Sequence, residues 1–105
     1  MEVEIYLEDM NSACQEPIDR ELNLRLASVR HLLKRVRAEV TQRSIDGAGV
    51  RCRIELVMRS GEVLSTQLDG VDLMACVSAG AARVRRSVYR TLRYGEPHQL
   101  ASGVG

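Results

Sequence analysis

The sequence has no phenylalanine and no tryptophan, and its only aromatic residues are three scattered tyrosines. A hydrophobic core built from this chain must therefore be aliphatic. The aromatic surface on which single-stranded nucleic-acid-binding proteins stack bases is largely missing. The three cysteines are odd in number and widely spaced, which excludes a disulfide framework and a C-x-x-C metal knuckle. We expect buried or unreactive thiols, and no metal site or cofactor.

Long hydrophobic runs are also absent: no segment approaches the roughly eighteen apolar residues of a membrane-spanning helix. The N-terminus, MEVEIYLEDM, is acidic where a signal peptide would be basic and then apolar. We therefore predict a cytoplasmic protein that does not bind membranes. A length of 105 residues suits one domain, and the content of 45% apolar and 28% charged residues is typical of a folded globular protein.

The formal net charge of +1 conceals a segregation of charge along the chain. Residues 1–21 carry seven acidic and one basic side chain, and residues 22–43 carry six basic and one acidic. Residues 44–72 carry five acidic and three basic side chains, and residues 73–105 carry five basic and one acidic. If the two basic blocks are adjacent in space, their distribution rather than the total charge sets the local potential.

Hydrophobic periodicity predicts a strand, a helix and a second strand in the first half of the chain. Val3, Ile5 and Leu7 alternate with polar residues, which is the period of a half-buried strand. Apolar residues then recur at spacings of four and three, which predicts a first helix over residues 17–34; they are Ile18, Leu22, Leu26, Val29 and Leu33. A second alternation over residues 36–41 predicts the next strand, which ends at the turn-rich SIDGAG loop.

The second half contains the clearest pattern, a β-hairpin followed by a helix. Two alternating runs, residues 51–58 and 63–68, flank a turn at Ser60-Gly61. Asp72 is placed as the N-cap or as a first-turn acid of a second helix over residues 72–93. The apolar line of that helix is Leu73, Val77, Ala81, Val84 and Val88.

The order of elements is β-α-β-β-β-α, and each element has one apolar face. We predict an α+β fold in which a four-stranded mixed sheet and two helices on one of its faces form a two-layer sandwich. Residues 1–94 would form this single domain, and residues 95–105 a flexible tail.

Residues 81–93, AARVRRSVYRTLR, hold five arginines in thirteen positions. Such a face is either solvated surface or a surface that binds a polyanion. Only one acidic residue, Glu96, follows Asp72, so the arginines lack carboxylate partners at helical spacing, and guanidinium groups bind phosphate bidentately. The predicted RNA-binding residues, which we expect to converge on one flank, are Arg25, Arg30, Lys34, Arg35, Arg83, Arg86, Arg90 and Arg93.

The stretch RSGEVLSTQLDGVDLMACVSAGAARVRRSVYR resembles the ribosome hibernation family, that of hibernation promoting factor and the ribosome-associated inhibitor. Residues 70–78 match its Gly-x-Asp-Met-Tyr-x-Ala-Ile-Asp signature, and a basic helix continues from it. The departures that change the chemistry are Met74, which replaces the preferred Tyr, and Ser78 and Ala82, which stand where Asp is common. The resemblance extends over residues 1–93 by order of elements and over residues 58–90 by motif.

The resemblance implies a non-enzymatic factor that binds rRNA of the small ribosomal subunit, blocks the path of messenger and transfer RNA, and inhibits translation under stress. It also implies the short form of the family, which lacks a C-terminal dimerisation domain. The alternative from the residues is a protein-interaction module whose basic helices bind an acidic protein. His31, His98 and Cys14 form no convergent catalytic set, so we predict neither an enzyme nor a small-molecule substrate, and oligomeric state stays open.

Overall fold

The computed structural model describes residues 1–42 and 49–94, which form a four-stranded sheet with two helices packed against it. The strands are β1 (Glu2–Glu8), β2 (Leu33–Gln42), β3 (Val50–Met58) and β4 (Val63–Gly70), and the helices are α1 (Gln15–Arg25) and α2 (Leu73–Tyr94). This is the predicted β-α-β-β-β-α order. Most of the predicted SIDGAG loop and the predicted tail at residues 95–105 lie outside the described residues.

The sheet is mixed, in the order β1-β2-β3-β4. Strands β1 and β2 are parallel because the chain returns to the same end of the sheet through α1. Strands β2, β3 and β4 are antiparallel. The predicted hairpin between β3 and β4 turns at Gly61, whose φ of +96° lies in the left-handed region that glycine adopts without strain.

The core between the sheet and the helices is aliphatic, as the lack of phenylalanine and tryptophan requires. Both predicted apolar lines contribute to it, together with the inward residues of β2 and β3. Helix α2 approaches the sheet closely at Gly80, where a Cβ atom would lie 2.9 Å from the Ile54 Cδ1. At the start of α2, the Asp72 carboxylate accepts a hydrogen bond of 3.1 Å from the Ala75 amide, so the predicted N-cap is confirmed.

The predicted extent of the first helix is wrong, because α1 ends at Arg25. A 3₁₀ segment, Ala27–Leu32, follows it, and β2 begins at Leu33. The five residues of the predicted apolar stripe are nevertheless all fully buried. A 3₁₀ helix has three residues per turn, so the spacing of three from Leu26 to Val29 fits both helix types, and periodicity could not distinguish them.

Candidate nucleic-acid interface

Helix α2 carries five arginines and no acidic residue between Leu73 and Tyr94. Arg83, Arg86 and Arg90 are exposed, on the opposite side of the helix from the buried line of Val77, Ala81, Val84 and Val88. Arg83 also donates a long hydrogen bond of 3.4 Å to the Thr66 hydroxyl on β4. The sequence-predicted basic stripe of the second helix is therefore a solvent-facing surface.

The C-terminal half of this stripe forms a groove of about 330 Å³, which we call the arginine groove; Arg86, Tyr89, Arg90 and Arg93 line it. None of the carboxylates in the described part of the chain lines it. The Tyr89 side chain is 43% exposed, and its hydroxyl lies 2.8 Å from the Ser28 hydroxyl in the 3₁₀ segment. A fixed aromatic ring therefore lies among guanidinium groups, which sequence reasoning missed because it treated the three tyrosines as scattered.

Arg85 points to the other side of α2 and joins the two helices. Its Nη1 donates a hydrogen bond of 3.1 Å to the carbonyl oxygen of Arg25, the last residue of α1. A cation at a helix C-terminus satisfies a carbonyl that has no partner within the helix and opposes the negative end of the helix dipole. Arg85 thus has a structural role that the sequence alone did not indicate.

The predicted convergence of the basic residues from the first helical segment is largely wrong. Arg25 lies on α1 and makes an ion pair of 2.7 Å with Glu21. Arg35 lies on β2, on the sheet face away from the helices, with its Nη1 3.9 Å from the Glu4 carboxylate. The physical reason is the early end of α1, which places residues 33–35 in a strand, where side chains alternate between faces.

The two remaining basic residues of that segment, Arg30 and Lys34, are exposed. Arg30 lies in the 3₁₀ segment, and Lys34 is the extra residue of a β-bulge between Leu33 and Arg35. In the described ranges neither residue makes an ion pair. They are not part of the arginine groove, which α2 alone provides.

Glu21 on α1 accepts a hydrogen bond of 2.7 Å from Arg25 on its own helix and lies near Ser78 on α2. The hydrogen bond from Arg25 and the weaker contribution of the Ser78 hydroxyl outweigh the effect of burial and lower the pKa of the Glu21 carboxyl. Ser78 is one of the positions that depart from the family pattern, and an Asp there would bring a second carboxylate to Glu21. Serine at position 78 therefore avoids repulsion between two neighbouring carboxylates.

The sheet face away from the helices has mixed charge, and the charges on β2 and β3 are paired. Arg37 and Glu39 on β2 stand opposite Glu55 and Arg53 on β3, so that opposite charges are adjacent both along and across the strands. Further pairs join Arg51 to Asp69 at 3.0 Å and Arg35 to Glu4, and the Arg37 guanidinium lies 4.6 Å from the centre of the Tyr6 ring. On this face arginines and carboxylates alternate, whereas the sequence of α2 contains five arginines and no carboxylate.

The described residues offer no convergent catalytic centre. His31 is exposed, and its carbonyl accepts a hydrogen bond from Arg59; Cys14 is half-buried in a different part of the chain. Burial raises the pKa of the Cys52 thiol to about 12, so this cysteine is not a nucleophile at neutral pH. Across residues 1–42 and 49–94 no group of His, Cys, Asp or Glu could hold a metal ion, and neither helix is long and apolar enough to span a membrane.

Comparison with solved structures shows a similarity of fold. The fold is similar to that of the Thermus thermophilus Protein Y N-terminal domain, with a TM-score of 0.65 and 14% sequence identity; the match covers 86% of this chain and 98% of that domain. No protein-family model and no curated protein matches the sequence. The shared fold confirms the architecture that the resemblance implied.

Proposed function

We propose that this chain is a cytoplasmic, non-enzymatic ribosome hibernation factor that binds rRNA of the small ribosomal subunit through the arginine groove of α2. Bound there, it blocks the path of messenger and transfer RNA and inhibits translation. The observation that carries the proposal is a groove lined by three arginines and one tyrosine on a fold similar to that of Protein Y. The motif at residues 70–78 resembles the ribosome hibernation family, and the observed fold agrees with the architecture that this resemblance implies.

The chemistry of the arginine groove favours RNA over an acidic protein as its ligand. Guanidinium groups bind phosphate oxygens bidentately, and the Tyr89 ring offers a face on which an unpaired base can stack. Since Tyr89 is held by Ser28, little side-chain freedom is lost when a ligand binds. Arg83, which lies on the same exposed stripe of α2 one turn before the groove, extends the positive surface along the helix toward a long polyanion such as a folded rRNA.

Co-sedimentation with purified small ribosomal subunits at low salt tests the proposal. The variant Arg86→Glu with Arg90→Glu reverses two charges in the arginine groove and should abolish binding while leaving the fold intact. The control variant, Arg20→Glu with Arg53→Glu, changes the net charge equally at exposed positions on α1 and β3, and it should bind with a much smaller loss.

A salt titration gives the number of phosphate contacts. The affinity should fall as salt rises, and Arg86→Ala should reduce the slope of log K against log salt by about 1, the value for one lost phosphate contact. Addition of messenger RNA and initiator transfer RNA should displace the protein from the subunit. Equal binding by both double variants, or capture of an acidic protein in place of the subunit, would contradict the proposal.

A further inference from the structure

A second surface, built from different elements, lies at the β1 edge of the sheet. A groove of about 580 Å³ runs between β1 and the start of α1; we call it the β1 groove, and its lining residues are Val3, Ile5, Ser12, Ala13, Gln15, Glu16 and Asp19. Its floor is apolar, because Val3 and Ile5 lie on the helix side of the sheet, beside the buried Val36 and Ala38 of β2. Both floor residues are only half-buried.

Strand β1 is one of the two edge strands of the described sheet and pairs only with β2 there. The free side of an edge strand presents unpaired N–H and C=O groups, to which an extended segment can add as a further strand. Side chains of an added strand alternate between faces. One set would enter the apolar β1 groove, and the other would lie on the open sheet face beside the outward residues of β1.

The charges on both sides of this edge are acidic. Glu16 and Asp19 lie at the rim of the groove, and Glu2, Glu4 and Glu8 are the charged outward residues of β1. Arg35 and Thr41 contact Glu4 and Glu8, and Arg20 makes an exposed ion pair of 3.6 Å with Glu16, yet the five acidic residues outnumber the cations at this edge. An added strand with lysine or arginine at its outward positions would place cations directly beside carboxylates, which is a favourable cross-strand pairing.

We propose that the β1 groove binds an extended peptide segment in which aliphatic residues alternate with lysine or arginine, and that this segment joins the sheet as a strand beside β1. The aliphatic side chains cover Val3 and Ile5, and the basic side chains pair with the outward glutamates of β1. The partner is a different protein with such a segment.

A second copy of this chain does not fit the same edge. Two β1 strands side by side would bring their rows of glutamates together, and like charges across strands are destabilising. The other edge strand, β4, presents Ser65, Gln67 and Asp69 outward and has no cation to offer. Neither edge of the described sheet therefore complements β1.

Binding of short synthetic peptides tests the proposal. A peptide that alternates Val and Lys should bind, measured by fluorescence anisotropy, and should protect amides of β1 from hydrogen exchange. A peptide that alternates Val and Glu should not bind, and one with the first peptide's composition but its Val residues grouped at one end should bind far more weakly. Equal binding of all three, or exchange protection elsewhere than β1, would overturn the proposal.

Two variants separate strand addition from general attraction to a basic peptide. Glu2→Lys with Glu16→Lys should weaken binding about tenfold, since two weak ion pairs become repulsions, whereas the control Glu55→Lys with Glu62→Lys should change it little. Ala13→Phe fills the groove without changing charge and should also weaken binding. If Ala13→Phe binds as the parent does, or if the parent chain forms dimers in sedimentation, the proposal fails.

The outcome is independent of the proposed function on the ribosome. Arg86→Glu with Arg90→Glu should leave binding of the Val-Lys peptide unchanged, because the arginine groove shares no residue with the β1 groove. Loss of peptide binding in that variant would place the peptide on α2 and would contradict the assignment to β1.

Discussion

Replacement of Ser78 by aspartate, the residue that the ribosome hibernation family often has there, should destabilise this protein at neutral pH. The pKa of the Glu21 carboxyl is lowered chiefly by its hydrogen bond from Arg25, against the opposing effect of burial, and to a smaller extent by the nearby Ser78 hydroxyl. The aspartate removes the hydroxyl donor and introduces a second carboxylate. Two neighbouring carboxylates repel each other when both are charged, and this repulsion raises the pKa at which the pair takes up its first proton.

The size of the destabilisation by Ser78→Asp can be estimated from Coulomb's law. Two unit charges about 4 Å apart repel by about 4 kcal/mol at an effective dielectric constant of about 20. Arg25, with its Nε 2.7 Å from the Glu21 carboxylate, offsets part of this repulsion, and solvent screens the rest, since the Arg25 side chain is 44% exposed. We expect Ser78→Asp to lower the free energy of unfolding by about 2 kcal/mol at pH 7, and Ser78→Ala by less, because alanine introduces no charge.

The sign of the pH dependence distinguishes this cause from a packing defect. In the parent protein the lowered pKa of Glu21 contributes stability that is present above its ordinary pKa of 4.5 and lost as the pH falls through the lower folded value. In Ser78→Asp the raised pKa of the carboxylate pair has the opposite effect. The variant's loss of unfolding free energy relative to the parent should therefore shrink as the pH falls. Urea denaturation followed by circular dichroism measures both, and Glu21→Gln should rescue Ser78→Asp. A deficit equal at pH 7 and pH 4, or no rescue, would refute the reasoning.

Two further predictions concern the core. Val84→Asp should prevent folding, since Val84 is fully buried and an unpaired charge there costs several kcal/mol; a cooperative thermal transition in this variant would contradict the packing of α2. With iodoacetamide at pH 8, Cys14 should be alkylated first and Cys52, whose pKa burial raises to about 12, only after addition of urea. Mass spectrometry of digested samples measures the order, and early labelling of Cys52 would contradict its burial.

The strands and α2 could be predicted from sequence because their apolar residues have only one structural interpretation. Alternation over residues 51–58 fits a strand and nothing else, and the spacings of four from Leu73 to Val77 and Ala81 exclude a 3₁₀ helix. The end of α1 could not be predicted, because a spacing of three is shared by both helix types. Tertiary pairing with β1 and β3 decided that residues 33–35 became strand.

The positions of the basic residues could be predicted from the sequence on α2 but not in the first helical segment. The outward arginines of α2 followed from helical spacing, whereas the predicted positions of Lys34 and Arg35 failed with the helix end. Tyr89 was not predicted as a site residue because its position depends on a hydrogen bond to Ser28, sixty-one residues away in the chain. Contacts across such a separation leave no periodic signal in a single sequence.

The links from Arg85 to the end of α1 and from Tyr89 to the 3₁₀ segment have a kinetic consequence. A surface already fixed in the folded protein needs no slow rearrangement after first contact, so long-range attraction should govern how quickly a complex forms. Raising ionic strength should then lower the association rate constant more than it raises the dissociation rate constant.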